Sequence, residues 1–204
     1  KIMAEFKFPT EEIELPSQGL VYPKDNPLSS GKVEIKYMTA KEEDILTNQS
    51  YIKKGTVIDK LLKSLIVTKI NYNDLIVGDK NAIMVAARVL GYGGEYKFTY
   101  LEKEYEVNLS DIENKELDSS VYEPGKNDFK FTLPYSKNVI TFKLLTHGDD
   151  IKIQQELLGL KRLNKESNRE LSTRLKYMIT SLNGETETPK IREFVDTALL
   201  ARDS

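Results

Sequence analysis

The first third of the chain changes from an alternating to a helical pattern at a single threonine. Val33–Tyr37 alternates apolar and polar residues, as a strand with one buried face does. Thr39 and Glu42 follow with the spacing of a capping box, which starts a helix. Glu42, Glu43 and Asp44 then occupy the first helical turn, where the helix dipole favours negative charge. We interpret this acidic cluster as structural rather than catalytic or metal-binding.

Two further helices are predicted before the middle of the chain. One begins at Thr56 and the other covers 79–90, with Gly91 as its stop. In each, the apolar residues recur three or four positions apart, so they share one face. The faces are formed by Ile58, Leu61, Leu62, Leu65 and Ile66 in the first helix and by Ile83, Ala86, Ala87 and Leu90 in the second. These stripes predict a helical subdomain.

Alternation returns in the second half of the chain. Tyr96–Leu109 alternates aromatic and β-branched residues around a central turn, which predicts a hairpin. Phe129–Leu133 and Val139–Leu144 predict a second hairpin. Between the two hairpins, 111–128 is polar and acidic, and we place the loosest connection there.

Helical periodicity covers the end of the chain. We predict helices over roughly 149–163 and 168–182, the latter closed by Asn183-Gly184, and a last helix opened by Thr188-Pro189. The fold is therefore predicted to be α+β, with helical lobes packed around short antiparallel β-hairpins. The predicted parts are an extended arm (1–32), a strand with a helical lobe (33–95), a hairpin region with the acidic connection (96–145) and a C-terminal helical lobe (146–204).

Proline is concentrated in the N-terminal arm. Four of the seven prolines lie in the first 27 residues, where each restricts its neighbour to extended geometry. The arm also carries apolar side chains that favour burial, so it is expected to lie on this protein or on a partner. The candidates for partner binding are Phe6, Phe8, Leu15, Leu20 and Tyr22.

One order of elements occurs twice. Val33–Met38 leads into Thr39, an acidic turn and an apolar helix, and Ile140–Leu145 leads into Thr146 and the same sequence of features. This order indicates an internal duplication, or else a cap that many strand-to-helix junctions favour. A duplication predicts two similar helical lobes around a central β region, a shape suited to a scaffold.

Composition narrows the classes of function. Among 204 residues, 30 Lys and Arg stand against 32 Asp and Glu, so the net charge of −2 gives no global attraction to nucleic acid or anionic membrane. The chain has no cysteine, which excludes disulfides and thiolate zinc sites, and we expect a reducing cytosol. No apolar run approaches the length that spans a bilayer.

Candidate catalytic and metal-binding motifs are weak. His147 is the one histidine, and we interpret it as a loop residue between Thr146 and Gly148. The glycines near Gly91 follow a helix, which is the reverse of a phosphate-binding loop, and the calcium-loop spacing that begins at Asp79 lacks its glycine. A carboxylate pair defined only by its separation in space stays open. We predict no catalytic residue, no metal site and no cofactor.

The most localised charge is a basic run between 161 and 176. On a continuous helix Arg162, Lys165 and Arg169 share one face, which makes them candidates for partner binding. The alternatives are a solvated face, a surface for an acidic protein partner, and an adaptor for nucleic acid. No aromatic residues interleave with these charges to stack bases, so nucleic acid is the least favoured of the three.

Three stretches together resemble a known family. They are Leu15–Pro23, Met38–Asn48 and Leu75–Ile83. In combination they are similar to the baseplate hub assembly proteins of T4-type contractile-tailed bacteriophages, and the similarity continues into the C-terminal half. Relatives often carry a Cys-x-x-Cys knuckle in the central hairpin, which Phe98–Tyr105 lacks. This hairpin is therefore expected to be held by apolar packing.

The resemblance implies a function without catalysis. Members of the family act in building the central hub of the tail baseplate, either as components or as dedicated chaperones. For this chain it implies partners among other baseplate or hub proteins, self-association as a further possibility, and no cofactor. The expected locations are the host cytoplasm during assembly and the tail baseplate of the virion.

Overall fold

The computed structural model describes residues 9–163 and 169–204 and divides the chain into two compact units. The first unit holds the described residues up to Gly19 together with Lys24–Ile70 and Gly78–Leu117. The second holds Leu20–Pro23, Asn71–Val77 and the described residues from Asp118 onward. Each unit combines helices with small antiparallel sheets, so the predicted α+β class is confirmed.

The described strands and helices follow the predicted order, with a few differences. The strands are β1 (Thr10–Glu14), β2 (Lys32–Lys36), β3 (Glu95–Tyr100), β4 (Lys103–Asn108), β5 (Phe129–Thr132), β6 (Val139–Phe142) and β7 (Ile179–Leu182). The helices are α1 (Ala40–Leu46), α2 (Gln49–Lys53), α3 (Val57–Leu65), α4 (Val77–Tyr92), α5 (His147–Leu163), α6 (Glu170–Met178) and α7 (Thr188–Thr197). The two short elements β1 and α2 have no counterpart in the predicted pattern.

The core of the first unit lies on one face of the β1–β2 sheet. Alternation along β2 buries Val33 and Ile35, and Ile35 forms an antiparallel bridge with Ile66 at the end of α3. The apolar stripe of α3 supplies Leu62 and Leu65, both fully buried. Strand β1 belongs to the predicted N-terminal arm and pairs along its whole length with β2. This part of the arm therefore lies on this protein.

The second unit is built on a three-stranded sheet in the order β5-β6-β7. Its buried cluster contains Leu133, Ile140 and Ile179 from the sheet and its flanks, together with three residues of α7: Ile191, Phe194 and Val195. These three residues are thus on the face of α7 that packs on the sheet. Asn183 and Gly184 adopt φ angles of 50° and 88° and form a turn, but this turn follows strand β7 and does not close a helix as predicted.

The two units share a plan that supports the predicted duplication. In each, an antiparallel hairpin is followed by a helix that begins after a threonine, and a later helix ends in a segment that pairs with the second hairpin strand. The pairing is Ile35 with Ile66 in the first unit and Phe142 with Ile179 in the second. Each first strand leads into a buried leucine followed by proline, at Leu15 and Leu133.

Three local predictions were wrong. Gly91 does not stop α4, which continues to Tyr92 before Gly93 adopts a φ of 82°. A Cβ at Gly91 would overlap the methyl end of the Met38 side chain, which packs directly on this glycine. His147 is the buried first residue of α5 and not a loop residue; its ring centroid lies 4.6 Å from that of Tyr72.

The third wrong prediction is a continuous helix to residue 182. The chain leaves helix after Met178, and Ile179–Leu182 becomes strand β7. The segment pairs with β6, including Thr141 opposite Ser181. Pairing with a neighbouring strand satisfies its backbone groups as well as a helix would, and it places Ile179 in the core. Tertiary contacts therefore override the local helical pattern.

Candidate partner-binding surface

The β3–β4 hairpin of the first unit extends from a fixed base at the end of α4. Arg88 holds this base, because its guanidinium lies 4.9 Å from the Tyr92 ring and 5.8 Å from the Tyr96 ring. The same group donates to the Gly93 carbonyl at 3.0 Å. On the other strand, the Leu109 amide donates to the Gly94 carbonyl at 2.7 Å.

Six cross-strand pairs define the hairpin register, from Glu95 opposite Asn108 to Tyr100 opposite Lys103. The turn residues Leu101 and Glu102 have φ angles of 48° and 63°. Two successive left-handed residues form the kind of tight turn whose twist matches that of the strands. Because side chains alternate across a strand, this register divides the hairpin into two faces of different chemistry.

One face of the hairpin is almost entirely apolar and aromatic. Its members are Tyr96, Phe98, Tyr100, Lys103, Tyr105 and Val107. The rings contact one another, with centroids 5.9 Å apart for Tyr96 and Phe98 and 5.5 Å apart for Phe98 and Tyr105. The apolar members nevertheless remain 39–61% exposed. The expected apolar packing thus consists of contacts between the rings of this face, which itself stays open to solvent.

The opposite face of the hairpin is charged. It carries Glu95, Lys97, Thr99, Glu104, Glu106 and Asn108. Lys97 and Glu106 lie directly opposite each other, and their charged atoms are 3.4 Å apart. Both are exposed, so their attraction is screened by water and contributes little to stability. This face has the composition of an ordinary solvated surface.

The first unit also contains an apolar cleft between α4 and β1. The cleft has a volume of about 540 Å³. Val85, Val89 and Leu90 of α4 form one side, and Ile112 contributes another apolar side chain, which is 62% exposed. Carboxylates of β1 line the cleft at Glu11, Glu12 and Glu14. This is a second place in the first unit where apolar surface is accessible.

The predicted binding residues of the arm differ in their accessibility. Leu15 and Tyr22 are buried, with 1% and 4% of their surface exposed, and the Tyr22 hydroxyl accepts a hydrogen bond from the Ile76 amide. Leu20 is half-buried. Phe6 and Phe8 lie outside the described residues. Burial gives Leu15 and Tyr22 a role in packing, and partner binding by this set stays a prediction.

The predicted basic run is partly neutralised. Arg162 at the end of α5 and Arg169 before α6 are exposed, while Lys165 lies outside the described residues. Arg174 forms ion pairs with Asp150 at 3.0 Å and Glu170 at 3.2 Å. The Lys176 ammonium lies 2.7 Å from Asp196. These pairs reduce the positive charge available to an acidic partner or to nucleic acid.

The buried carboxylates hold local structure together. Glu42 accepts hydrogen bonds from the Thr39 amide at 3.0 Å and the Ser64 hydroxyl at 2.6 Å. Burial opposes its ionisation, but the donors from Ser64, Thr39 and Lys36 outweigh burial and lower its pKa to about 2. Asp79 accepts from the amide and hydroxyl of Ser17 at 3.0 and 2.7 Å. Each of these groups therefore serves a helix start or a loop.

Within 9–163 and 169–204, histidine, aspartate and glutamate side chains form no group of three or more that could hold a metal ion. The described helices include none that is both long and apolar enough to cross a bilayer.

The hairpin face was missed as a candidate site although its signal is present in the sequence. Alternation of aromatic and polar residues on both strands divides the faces, and the register then follows from the tight turn. Alternation alone predicts that such a face is covered by the core. The exposure of Phe98 and Tyr105 depends on where the rest of the unit lies, which periodicity does not determine.

Comparison with known proteins adds one finding. The family model described as T4 bacteriophage base plate protein matches residues 9–183, which include most of both units. Neither a curated protein nor a solved structure is similar enough to the chain to count as a match.

Proposed function

Because this chain belongs to the T4 bacteriophage base plate protein family, we propose that it builds the central hub of a phage tail baseplate. It acts either as a component of that hub or as a factor that assembles it. The observation that carries the proposal is the match to the family over residues 9–183. Its partners are other baseplate or hub proteins.

The proposed activity is protein binding without catalysis. Three buried carboxylates, Glu42, Asp79 and Asp149, accept hydrogen bonds from residues of neighbouring turns and helix starts. A catalytic carboxylate needs access to a substrate, and 6% or less of each of these residues is exposed. The accessible features of the first unit are instead apolar, at the hairpin face and in the cleft beside α4.

Loss of the chain from an infecting phage tests the proposal. A phage with an early stop codon in this gene is expected to yield heads and free tail proteins but few complete baseplates in electron micrographs. Supplying the full chain from a plasmid should restore infectious particles. Complete baseplates and normal infectivity without the chain would refute the proposal.

Mass spectrometry separates the two forms of the proposal. A hub component is expected both in purified virions and in the lysate of infected cells. An assembly factor is expected in the lysate alone, since it leaves the particle before completion. The same measurement shows whether the protein is part of the virion or stays in the host cell.

A further inference from the structure

We infer that the apolar face of the β3–β4 hairpin is a docking surface for a different protein of the baseplate. This hairpin face is formed by Tyr96, Phe98, Tyr100, Tyr105 and Val107, with Lys103 as its one charge. The inference deepens the proposed function and rests on it, since it names the surface and the kind of partner.

The division of chemistry between the two faces is the first support. A sheet with one solvated face packs its apolar face against another layer. Here the solvated face carries four charged residues: Glu95, Lys97, Glu104 and Glu106. The other face has the composition of a packed layer and yet remains 39–61% exposed at its apolar residues. Leu101 extends this apolar surface at the tip, where 77% of it is exposed.

The size of the patch is the second support. An aromatic side chain buries about 150–250 Å² when it is fully covered. At the observed exposures, the five apolar side chains of the hairpin face leave roughly 400–500 Å² open to solvent. The largest apolar patch on a typical monomer covers about 300–600 Å² and is often functional, so the hairpin face has the size of such a functional patch.

The side chains of the hairpin face are also fixed in place before a partner binds. Ring contacts fix the side chains of Tyr96, Phe98 and Tyr105 relative to one another. Arg88 fixes the base of the hairpin through its contacts with the Tyr96 ring and the Gly93 carbonyl. Rigid aromatic side chains lose little entropy on binding, and tyrosine is enriched at protein interfaces for this reason.

Charge identifies the occupant as a different protein rather than a second copy. In a dimer of two hairpin faces, Lys103 would meet apolar side chains and no carboxylate, because Glu95, Glu104 and Glu106 lie on the opposite face. A different protein can offer an apolar surface with a carboxylate opposite Lys103. The hairpin face alone would bury roughly 800–1,000 Å² in total with any partner, which is below the 1,200 Å² or more of a stable interface, so the partner also covers surface beside it, such as Leu101 at the tip.

Photo-cross-linking in infected cells tests the inference directly. The full chain carries p-benzoylphenylalanine in place of Phe98 or, as a matched control, in place of Thr99, the adjacent residue on the charged face. We expect position 98 to form a cross-link to one baseplate protein and position 99 to form none. A product that joins two copies of this chain, equal cross-linking from both positions, or no product from position 98 would each overturn the inference.

A second test measures the affinity of the full chain for the purified partner that cross-linking identifies. Each variant reverses one exposed charge, so a loss of binding is not explained by misfolding. Lys103→Glu is expected to weaken binding at least about tenfold, since it places like charges in contact. Lys97→Glu, on the opposite face, should leave the affinity unchanged. Equal effects of the two substitutions would contradict the inference. If the hairpin fails these tests while loss of the chain still prevents baseplate assembly, the proposed function stands and only the docking surface is wrong.

Discussion

In each unit a strand runs through a threonine into a helix, and a carboxylate three residues after the threonine accepts hydrogen bonds from it. A lysine at or just after the end of the strand completes the arrangement by pairing with the carboxylate. The residues are Lys36, Thr39 and Glu42 in the first unit and Lys143, Thr146 and Asp149 in the second. The lysine-to-carboxylate distances are 2.9 and 2.8 Å. Equal spacings in the sequence therefore produce equal local geometry.

The turns after the first strands extend this correspondence. An aspartate distant in the sequence accepts two hydrogen bonds from each turn. Asp79 accepts from the amide and hydroxyl of Ser17, at 3.0 and 2.7 Å. Asp203 accepts from the amides of Tyr135 and Ser136, both at 2.9 Å. The two units thus share side-chain contacts that the strand and helix order alone does not require.

The units differ in how well the sheet is covered. Val33 and Ile35 of the first unit have 1% and 0% of their surface exposed. At the equivalent positions of the second unit, Ile140 is 8% exposed and Phe142 is half-buried. A cleft of about 170 Å³ lies beside these two residues. The same plan therefore encloses a tighter core in the first unit than in the second.

The largest difference is expected for two equivalent leucines. Leu62 in α3 is fully buried, whereas Leu175 in α6 is half-buried beside the cleft. Leu62→Ala should lower the free energy of unfolding by about 3 kcal/mol, because it leaves a cavity in a packed core. Leu175→Ala should lower it by only about 1 kcal/mol.

Hydrogen exchange of the backbone amides measures the loss of stability in each of these two variants separately. The units need not unfold together, so the amides of each unit report its own stability. Each variant is expected to lose protection mainly in its own unit. Equal losses for Leu62→Ala and Leu175→Ala would show that the difference in burial has no energetic consequence.

The next largest effect on stability is expected for the paired carboxylates Glu42 and Asp149, and it depends on pH. Folding lowers the pKa of Glu42 from 4.5 to about 2, so its stabilisation is complete above pH 5 and is lost as the pH falls towards 2. A shift of this size corresponds to at most about 3 kcal/mol. Glu42→Gln should therefore destabilise the first unit by about 2 kcal/mol at pH 7 and much less at pH 2.

Asp149→Asn is the matched variant in the second unit. Burial opposes the ionisation of Asp149, while Lys143 and Thr146 as donors lower its pKa overall, so the sign of the pH dependence is the same. The expected loss is smaller, because Lys143 is more accessible to water than Lys36. Urea unfolding of both variants at pH 7 and pH 2 measures the comparison. A loss for Glu42→Gln that does not change with pH would contradict it.

Local chemistry made much of the fold predictable from the sequence. The capping pair of Thr39 and Glu42, the stripe of α3 and the alternation around Leu101 each contain the information for their own element. Strand β7 was not predictable in this way, because Ile179–Leu182 continues a helical pattern and becomes a strand only through pairing with β6. Strand β1 was missed because proline residues flank it and favour an irregular arm.

The candidate site was less predictable than the fold. The alternation of Tyr96, Phe98 and Tyr100 predicts which side chains share a face, but not whether that face is covered. Leu15 and Tyr22 were also predicted to bind a partner because they are apolar, but both are buried. Composition favours both a core position and an interface for such residues, and only the packing of the whole unit distinguishes them.

The smallest expected effect concerns a hydrogen bond that differs between the two junctions. The Ser64 hydroxyl donates to Glu42 at 2.6 Å, whereas Tyr177 at the equivalent position donates to Glu156 instead of Asp149. Ser64→Ala should cost about 1 kcal/mol and raise the pKa of Glu42, since a donor to the charged form is lost. Tyr177→Phe should leave the pKa of Asp149 unchanged. Carboxyl titration followed by NMR measures both values, and a Glu42 pKa that does not change in Ser64→Ala would assign its low value to Lys36 and Thr39 alone.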